Sequence, residues 1–587
     1  MACSMPGSPP TRPPTYVVGT QHAQRPLVSP EHVKGHIRLL RAFYNLRITV
    51  EDCKDRRIPE YAAKMDKDTR WRWFVHLAVE RFERWVKSLE SVPLEKFVTG
   101  HIPPVDVWMV WHAYLLSPCW YAEDCERLAM LQQLRLLNMI VVGSINIGKV
   151  VQLKPSNTRM EAWQKQTGTP FNPFEATTAA ESRLKELECP RCRTMVYVPF
   201  ANDNGTGFAE EKFSVTCPLP GCMLRITHDN LAVAKFVRDL AEGDETREHF
   251  VAGSLFCPSG KRDARHAKVI RDQLLRSAYF SGLGPLTDNE RLVRLDRVRE
   301  VKESIGYSLE RLREAIMTSL RNCPAASVTR VLSAYTDGSP FSINLVDAVL
   351  RQCHFTQRMD ELGWLKSGTF RQPDKRVILE HSVMRYHAFL DLMTAYPSPM
   401  LVPTLDIDLV WHTHQLMASR YSVDCHMYVG RLVDHDLSVT ESRFSSTLEE
   451  TCRAWQMRFQ VSYLQCGCTV PDATSVHKFI RLVRSYLSCR SQLQLILHPE
   501  HLPATHPSTH NAPIPSKTVC TGTTCKMNHN GKRKEGQSQS PTPHPERANK
   551  RSQRMTQFNS DWRLTMHSPA TPMYFERELP ALPKSFS

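Results

Sequence analysis

Four cysteines carry the clearest chemistry in this 587-residue chain. They form two close pairs, Cys189-Pro190-Arg191-Cys192 and Cys217-Pro218-Leu219-Pro220-Gly221-Cys222, about 24 residues apart. Thiolates spaced in this way can converge on one tetrahedral Zn²⁺. A proline after the leading cysteine of each pair suits a tight turn around an ion, and His228 is close enough in sequence to stand in for Cys222. Four protein ligands leave such an ion no open position, so the pattern predicts a structural zinc. The chain has 18 cysteines and no apolar leader after Met1. Disulfides belong to oxidising compartments, so reduced thiols and metal ligands in a cytoplasmic or nuclear protein are expected.

A second set of ligand-type side chains lies in Trp411-His412-Thr413-His414 and the preceding Asp408. Asp408 and His412 are four residues apart and share one helix face. His414 falls about 200° further round an ideal helix, so it joins them only where the helix ends. Asp408, His412 and His414 would then form a two-histidine, one-carboxylate set of the kind that holds non-haem iron. Other catalytic signatures are missing: the chain has no Gly-x4-Gly-Lys-Ser/Thr, no His-Glu-x-x-His and no Gly-x-Ser-x-Gly.

The histidine segment occurs twice. Pro103 to Cys125 aligns without gaps on Pro403 to Cys425, with nine of 23 positions identical. An internal repeat at this spacing implies two diverged copies of one module. The chemistry-bearing residues common to both are Asp106 and Asp406, Trp111 and Trp411, His112 and His412, Tyr121 and Tyr421, and Asp124 and Asp424. Residues kept in both copies are expected to serve folding: an N-capping Asp, a core Trp, and a His bonded to a buried partner. Asp408, His414 and Gln415 are particular to the second copy, where the first has Trp108, Tyr114 and Leu115.

Helices must position these groups. Phe74, Ala78, Phe82, Trp85 and Leu89 fall on one face at helical spacing ahead of the first copy, as do Val383, Tyr386, Leu390 and Met393 ahead of the second. Pro118 stops the first motif helix. Short strands are predicted around the cysteines (Thr194 to Phe200, Phe213 to Thr216, Met223 to Thr227), with a helix after Asp229. The fold class that follows is mainly α. Two helical repeat modules, 31–165 and 306–470, flank a small β-containing, zinc-ribbon-like module at 166–255. A helical connector at 256–305 and a C-terminal helix at 471–500 complete it. Residues 1–30 and 501–587 are rich in Pro, Ser, Thr and His and are expected to be disordered.

With these residues in view, the chain resembles the glycine-rich domain-containing protein family of plants and fungi, most closely its fungal members. The resemblance rests on Val402 to Gln415, on Phe341 to Phe355 and on Cys466-Gly467-Cys468, and extends over about residues 30–470. Only 24 glycines are present, so the domain that names the family is missing from this sequence. The resemblance implies no settled biochemical activity. Plant members are linked to stress and developmental signalling, and some fungal relatives are labelled 2-oxoglutarate dioxygenases. Such enzymes usually place His-x-Asp/Glu on a strand. Here that triplet occurs only as His498-Pro499-Glu500 and His544-Pro545-Glu546, in proline-rich sequence.

The net charge is +15, and from residue 501 onward there are 12 Lys and Arg against 5 Asp and Glu. A basic tail of this kind can steer to nucleic acid or acidic partners. Lys532-Arg533-Lys534 and Lys550-Arg551 are spaced like a bipartite nuclear-localisation signal, and Cys466 and Cys468 could share a second zinc site with Cys520, Cys525 and His529. No apolar run is long enough for a membrane span. These features favour a non-enzymatic interaction or regulatory scaffold that binds a protein partner and carries structural zinc. The rivals are a metal-dependent enzyme of the 2-oxoglutarate and iron type, centred on the second copy, and a nucleic-acid-binding protein acting through its tail.

Overall fold

The computed structural model describes residues 15–89, 102–141, 154–242, 249–284, 291–396, 401–435, 441–466 and 506–507. The C-terminal helix expected at 471–500, the basic tail, Cys468 and the Cys520, Cys525 and His529 group lie outside them.

The chain opens with a hairpin, β1 (Tyr16–Val18) against β2 (Gln21–Ala23), turned through Gly19 at φ +60°. Tyr16, Val18, Leu27 and Val28 are buried, so the stretch from 16 to 29, expected to be disordered, is part of the fold. Helix α1 (Pro30–Glu51) starts at a capping box in which Ser29 and His32 satisfy each other's backbone N–H groups, with Pro30 in the first turn. Helix α2 (Lys67–Ser88) is capped by Asp66 and buries Phe74, Ala78, Phe82 and Trp85. The first motif helix, α3 (Val105–Leu115), is followed by α4 (Pro118–Arg127) and, further on, by α5 (Asn157–Thr167).

Two small hairpins come next: β3 (Leu184–Glu188) with β4 (Met195–Pro199), and β5 (Val215–Thr216) with β6 (Arg225–Ile226). Helix α6 (His228–Ala241) begins at a Thr227–Asn230 capping box. Helices α7 (Ala264–Arg276), α8 (Arg291–Ser304), α9 (Leu309–Ser319) and α10 (Ala325–Ser333) follow. Then come α11 (Leu345–Glu361), α12 (Pro373–Ala395), the second motif helix α13 (Leu405–Leu416), α14 (Ala418–Asp424) and α15 (Glu441–Phe459).

Both motif helices sit at the centre. Every residue of α3 from Asp106 to Leu115 is buried, and in α13 only Asp408 is not. A helix buried on all sides must be surrounded by others, and these are. Helix α1 packs on α2, α3, α11, α12 and α13, α3 packs on α2 and α11, and α12 packs on α13 and β1. One continuous core therefore draws on residues from both halves, from Tyr16 to Trp163 and from Phe341 to Tyr463. Residues 256–305, read as a connector, instead contribute Ile270, Leu274, Phe280, Val301 and Ile305 to a second core built on α6. A third, smaller core lies between the two hairpins and contains Cys189, Cys217 and Cys222.

Candidate functional site

The two hairpins after residue 184 bring the cysteine pairs together. Cys189 N–H donates to Thr194 O and Arg193 N–H to Cys189 O, and the chain reverses with Arg193 at φ +65°. In the second hairpin Cys217 N–H donates to Leu224 O, Cys222 N–H to Leu219 O, and Met223 takes φ +47°. In each case the residue after the last cysteine occupies the left-handed region without being glycine, a conformation that costs roughly 1–3 kcal/mol. Such turns persist where something else fixes them. Cys189 Sγ lies 3.7 Å from Cys222 Sγ, Cys192 Sγ lies 3.5 Å from Cys217 Sγ, and all four sulfurs lie within 4.8 Å of one another. Thiolates bound at about 2.3 Å around a tetrahedral ion are about 3.8 Å apart, whereas a disulfide is about 2.05 Å long. Burial pushes the Cys189 thiol up to about 12, while at Cys192 burial is outweighed by hydrogen bonds from Thr194 that draw it down to about 6. His228 does not replace Cys222: its Nε2 faces Phe208 O at 3.1 Å.

The residues common to the two motif segments are spent on the interior. Asp106 and Asp406 do not cap their helices. The N-cap positions are Pro104 and Thr404, without side-chain caps, and each Asp sits two residues past the cap, paired with an arginine of the preceding long helix. Arg81 Nε donates to Asp106 Oδ2 at 2.7 Å, and Arg385 Nε to Asp406 Oδ2 at 2.7 Å. Each guanidinium also lies over an indole, Arg81 over Trp163 and Arg385 over Trp455, both at 5.2 Å. Neither the arginines nor these tryptophans were singled out from sequence.

Tyr114 and His414, different residues at matching positions, do the same work. The Tyr114 hydroxyl donates to Asp124 Oδ2 at 2.5 Å, and His414 Nε2–H donates to Asp424 Oδ2 at 3.0 Å. The other ring nitrogen of His414 accepts from Tyr386 at 2.8 Å, and burial holds this imidazole below its ordinary pKa. His414 is therefore not a partner of Asp408, as the sequence had suggested. Asp124 also accepts from Ser342 N–H at 2.7 Å, tying the first motif to the second half of the chain. Trp411 Nε1–H donates to Tyr421 Oη at 2.8 Å, and Tyr421 donates in turn to Val433 O at 2.7 Å. Gln415 is buried, and neither its side-chain oxygen nor its nitrogen has a protein partner among the described residues.

The shared histidines diverge. His112 Nε2 meets His36 Nε2 at 2.9 Å, and the far side of His36 meets Thr413 Oγ1 at 2.9 Å. His412 Nε2 faces Asp408 Oδ1 at 3.2 Å and His435 Nε2 at 3.2 Å, and His435 Nε2 is 3.0 Å from Asp408 Oδ1. The first segment cannot repeat this, because Trp108 stands at the position of Asp408 and stacks on Trp111 at 4.7 Å. His435 carried no sequence signal, since it lies 23 residues from His412 and outside both motif segments.

Near the cysteines a cavity of about 1460 Å³ is lined by Arg72, Glu83, Lys185, Arg191, Arg238 and Asp347 among others. Its charges are of both signs, so it offers no single-sign track for a phosphate backbone. Among the described residues no helix is long and apolar enough to cross a membrane.

Residues 325–424, which contain α11 and α13, match the family described as glycine-rich domain-containing protein-like. Over these residues the chain is similar to that family. It is 34% identical over 102 residues to glycine-rich domain-containing protein 2 of Arabidopsis thaliana, covering 16% of this chain and 13% of that protein. It is 28% identical over 141 residues to glycine-rich domain-containing protein 1 of the same plant, covering 23% of this chain and 16% of that protein. The chain thus aligns with less than a fifth of either relative. No solved structure matches. The family segment ends at Asp424, so it includes Asp408 and His412 but neither His435 nor the four cysteines.

Proposed function

We propose that this protein is a non-enzymatic interaction or regulatory scaffold, built from two diverged copies of one helical module and a zinc ribbon whose ion is structural. What carries the reading is the use of the residues common to both motif segments. Asp106 with Arg81 and Asp406 with Arg385 form buried ion pairs in equivalent places, and Asp124 and Asp424 anchor the residues at 114 and 414. An enzyme keeps its shared groups at an opening, whereas Asp106, Asp124 and Asp406 are sunk into the core and Asp424 is 14% exposed. The four sulfurs support the zinc assignment by their separations and by the strained turn after each pair. Four thiolates fill a tetrahedral ion, which stabilises the hairpins and leaves no position for substrate. The binding partner of such a scaffold is another protein; the nucleic-acid alternative rests on tail residues outside the described ones.

Zinc analysis and hydrogen exchange of Cys217→Ser test this reading. The substitution should remove one tightly held zinc per chain and raise exchange across 184–240, because a structural ion contributes folding energy directly. Full zinc retention, or loss of zinc with exchange in the hairpins unchanged, would overturn it.

A further inference from the structure

We propose that Asp408, His412 and His435 bind a divalent transition-metal ion of the zinc or iron type through three protein ligands, with the remaining coordination positions open. The first argument is geometric. The three facing atoms form a triangle with edges of 3.0, 3.2 and 3.2 Å. Ligands bound at about 2.0–2.1 Å are about 3.0 Å apart when cis on an octahedral ion and about 3.3 Å apart on a tetrahedral one. The observed edges fall in that interval. Two imidazoles and one carboxylate on a single face are also the donor set that leaves positions open on zinc or iron.

The second argument is that hydrogen bonds alone do not account for the triangle. A neutral imidazole nitrogen carries either one proton or one lone pair. If His435 Nε2–H donates to Asp408, His412 Nε2 either sets a lone pair against the carboxylate oxygen or points an N–H at the His435 N–H. With Asp408 ionised, and so an acceptor only, every proton assignment leaves one edge unbonded or repulsive. An ion at the centre satisfies all three atoms at once. Both rings are well buried, with side chains 1% and 8% exposed, and neither Nδ1 has a protein partner among the described residues.

The third argument is that the ligands are held in place. Asp408 and His412 lie one turn apart on α13, and Phe355 packs on the His412 ring at 4.6 Å. His435 follows three consecutive anchored residues. Leu432 is buried with its carbonyl against Gly260, Val433 O accepts from Tyr421, and Asp434 Oδ1 accepts from Cys119 N–H at 3.2 Å. The Trp411 ring lies 4.7 Å from His435 and fixes its face. Asp408 is 16% exposed, so the site opens to solvent on the carboxylate side. Metal-bound histidines usually donate their second N–H to a protein acceptor, and losing that support costs about 10–100-fold in affinity. This site is accordingly the weaker of the two and exchanges its ion.

The site is independent of the four thiols, so its test does not depend on the scaffold reading. Full-length protein is analysed for metal as purified, dialysed against a mild chelator, and titrated with Co²⁺. One tight ion should resist dialysis. One further equivalent of Co²⁺ should bind with weak visible bands and without the thiolate charge-transfer absorption that marks a cysteine site. Asp408→Asn and His435→Ala, at the more exposed corners of the triangle, should each abolish this second equivalent while the tight ion and the circular dichroism are retained. His414→Asn should keep it. Absence of a second equivalent in the unmodified protein, or its survival in both the Asp408 and His435 variants, would overturn the proposal.

Discussion

Replacing Asp406 by Ala tests whether the shared acids act as buried charges. Asp406 accepts from Arg385 Nε at 2.7 Å and from the Thr404 hydroxyl at 2.6 Å, and the side chains of the pair are 3% and 2% exposed. Hydrogen bonds to charged groups contribute about 1.5–3 kcal/mol each. Removing one partner of a buried pair leaves the other charge uncompensated and costs about 3–5 kcal/mol. Asp406→Ala should therefore lower the free energy of unfolding by about 3–5 kcal/mol, a large part of the roughly 5–15 kcal/mol that holds a typical domain. Asp106→Ala should cost less by about one such bond, because Asp106 Oδ1 has no partner among the described residues. The double substitution Arg385→Met with Asp406→Leu should recover most of the loss, since apolar pairs of similar size replace buried ion pairs at little cost. Equilibrium urea unfolding followed by tryptophan fluorescence measures all three. A loss below about 1 kcal/mol for Asp406→Ala, or a double variant no better than the single, would refute the reasoning.

Three further outcomes follow. His414→Ala should lower the melting temperature, by an amount equivalent to about 2–4 kcal/mol, because Asp424 and Tyr386 both lose a buried partner; an unchanged melt would contradict the assigned contacts. Burial pulls His36 down to about 3 and His387 to about 4, whereas unfolded histidines titrate near 6.5. Their contribution is complete above about pH 6.5 and is lost as pH falls towards those lower values, so urea-unfolding stability should drop by about 2–3 kcal/mol between pH 6 and pH 5; a flat profile there would count against it. Gly260→Ala would place a Cβ 1.9 Å from Leu432 O at φ +79°, so hydrogen exchange at 432–435 should rise and Co²⁺ binding at Asp408 should weaken together.

Much of this was legible in the sequence because it is local or regular. The two motif segments align without gaps, so the motif helices could be placed, and the close cysteine pairs announced their own cluster. The Asp positions misled. An aspartate just before an apolar run reads as a cap, and only the arginines at 81 and 385, about 20 residues upstream, show that these side chains turn inward. His435 could not be found because Tyr421 and Gly260 set its loop, and neither contact has a sequence period. The stretch at 256–305 misled for the opposite reason. Its charged residues are frequent, yet Ala267, Ile270 and Leu274 recur at helical spacing and are buried, the last two in the core that includes α6.

The shared core also sets a schedule for synthesis. Gly19 N–H donates to Asp391, 372 residues later, and Leu27 N–H donates to His387, 360 residues later. At about 5–20 residues per second, a ribosome needs roughly 20–70 s to deliver those partners. Until then Tyr16, Val18, Leu27 and Val28, all buried in the finished protein, have nothing of α12 to cover them. The nascent chain thus spends about two thirds of its elongation with an adhesive leading end before the residues that cover it exist.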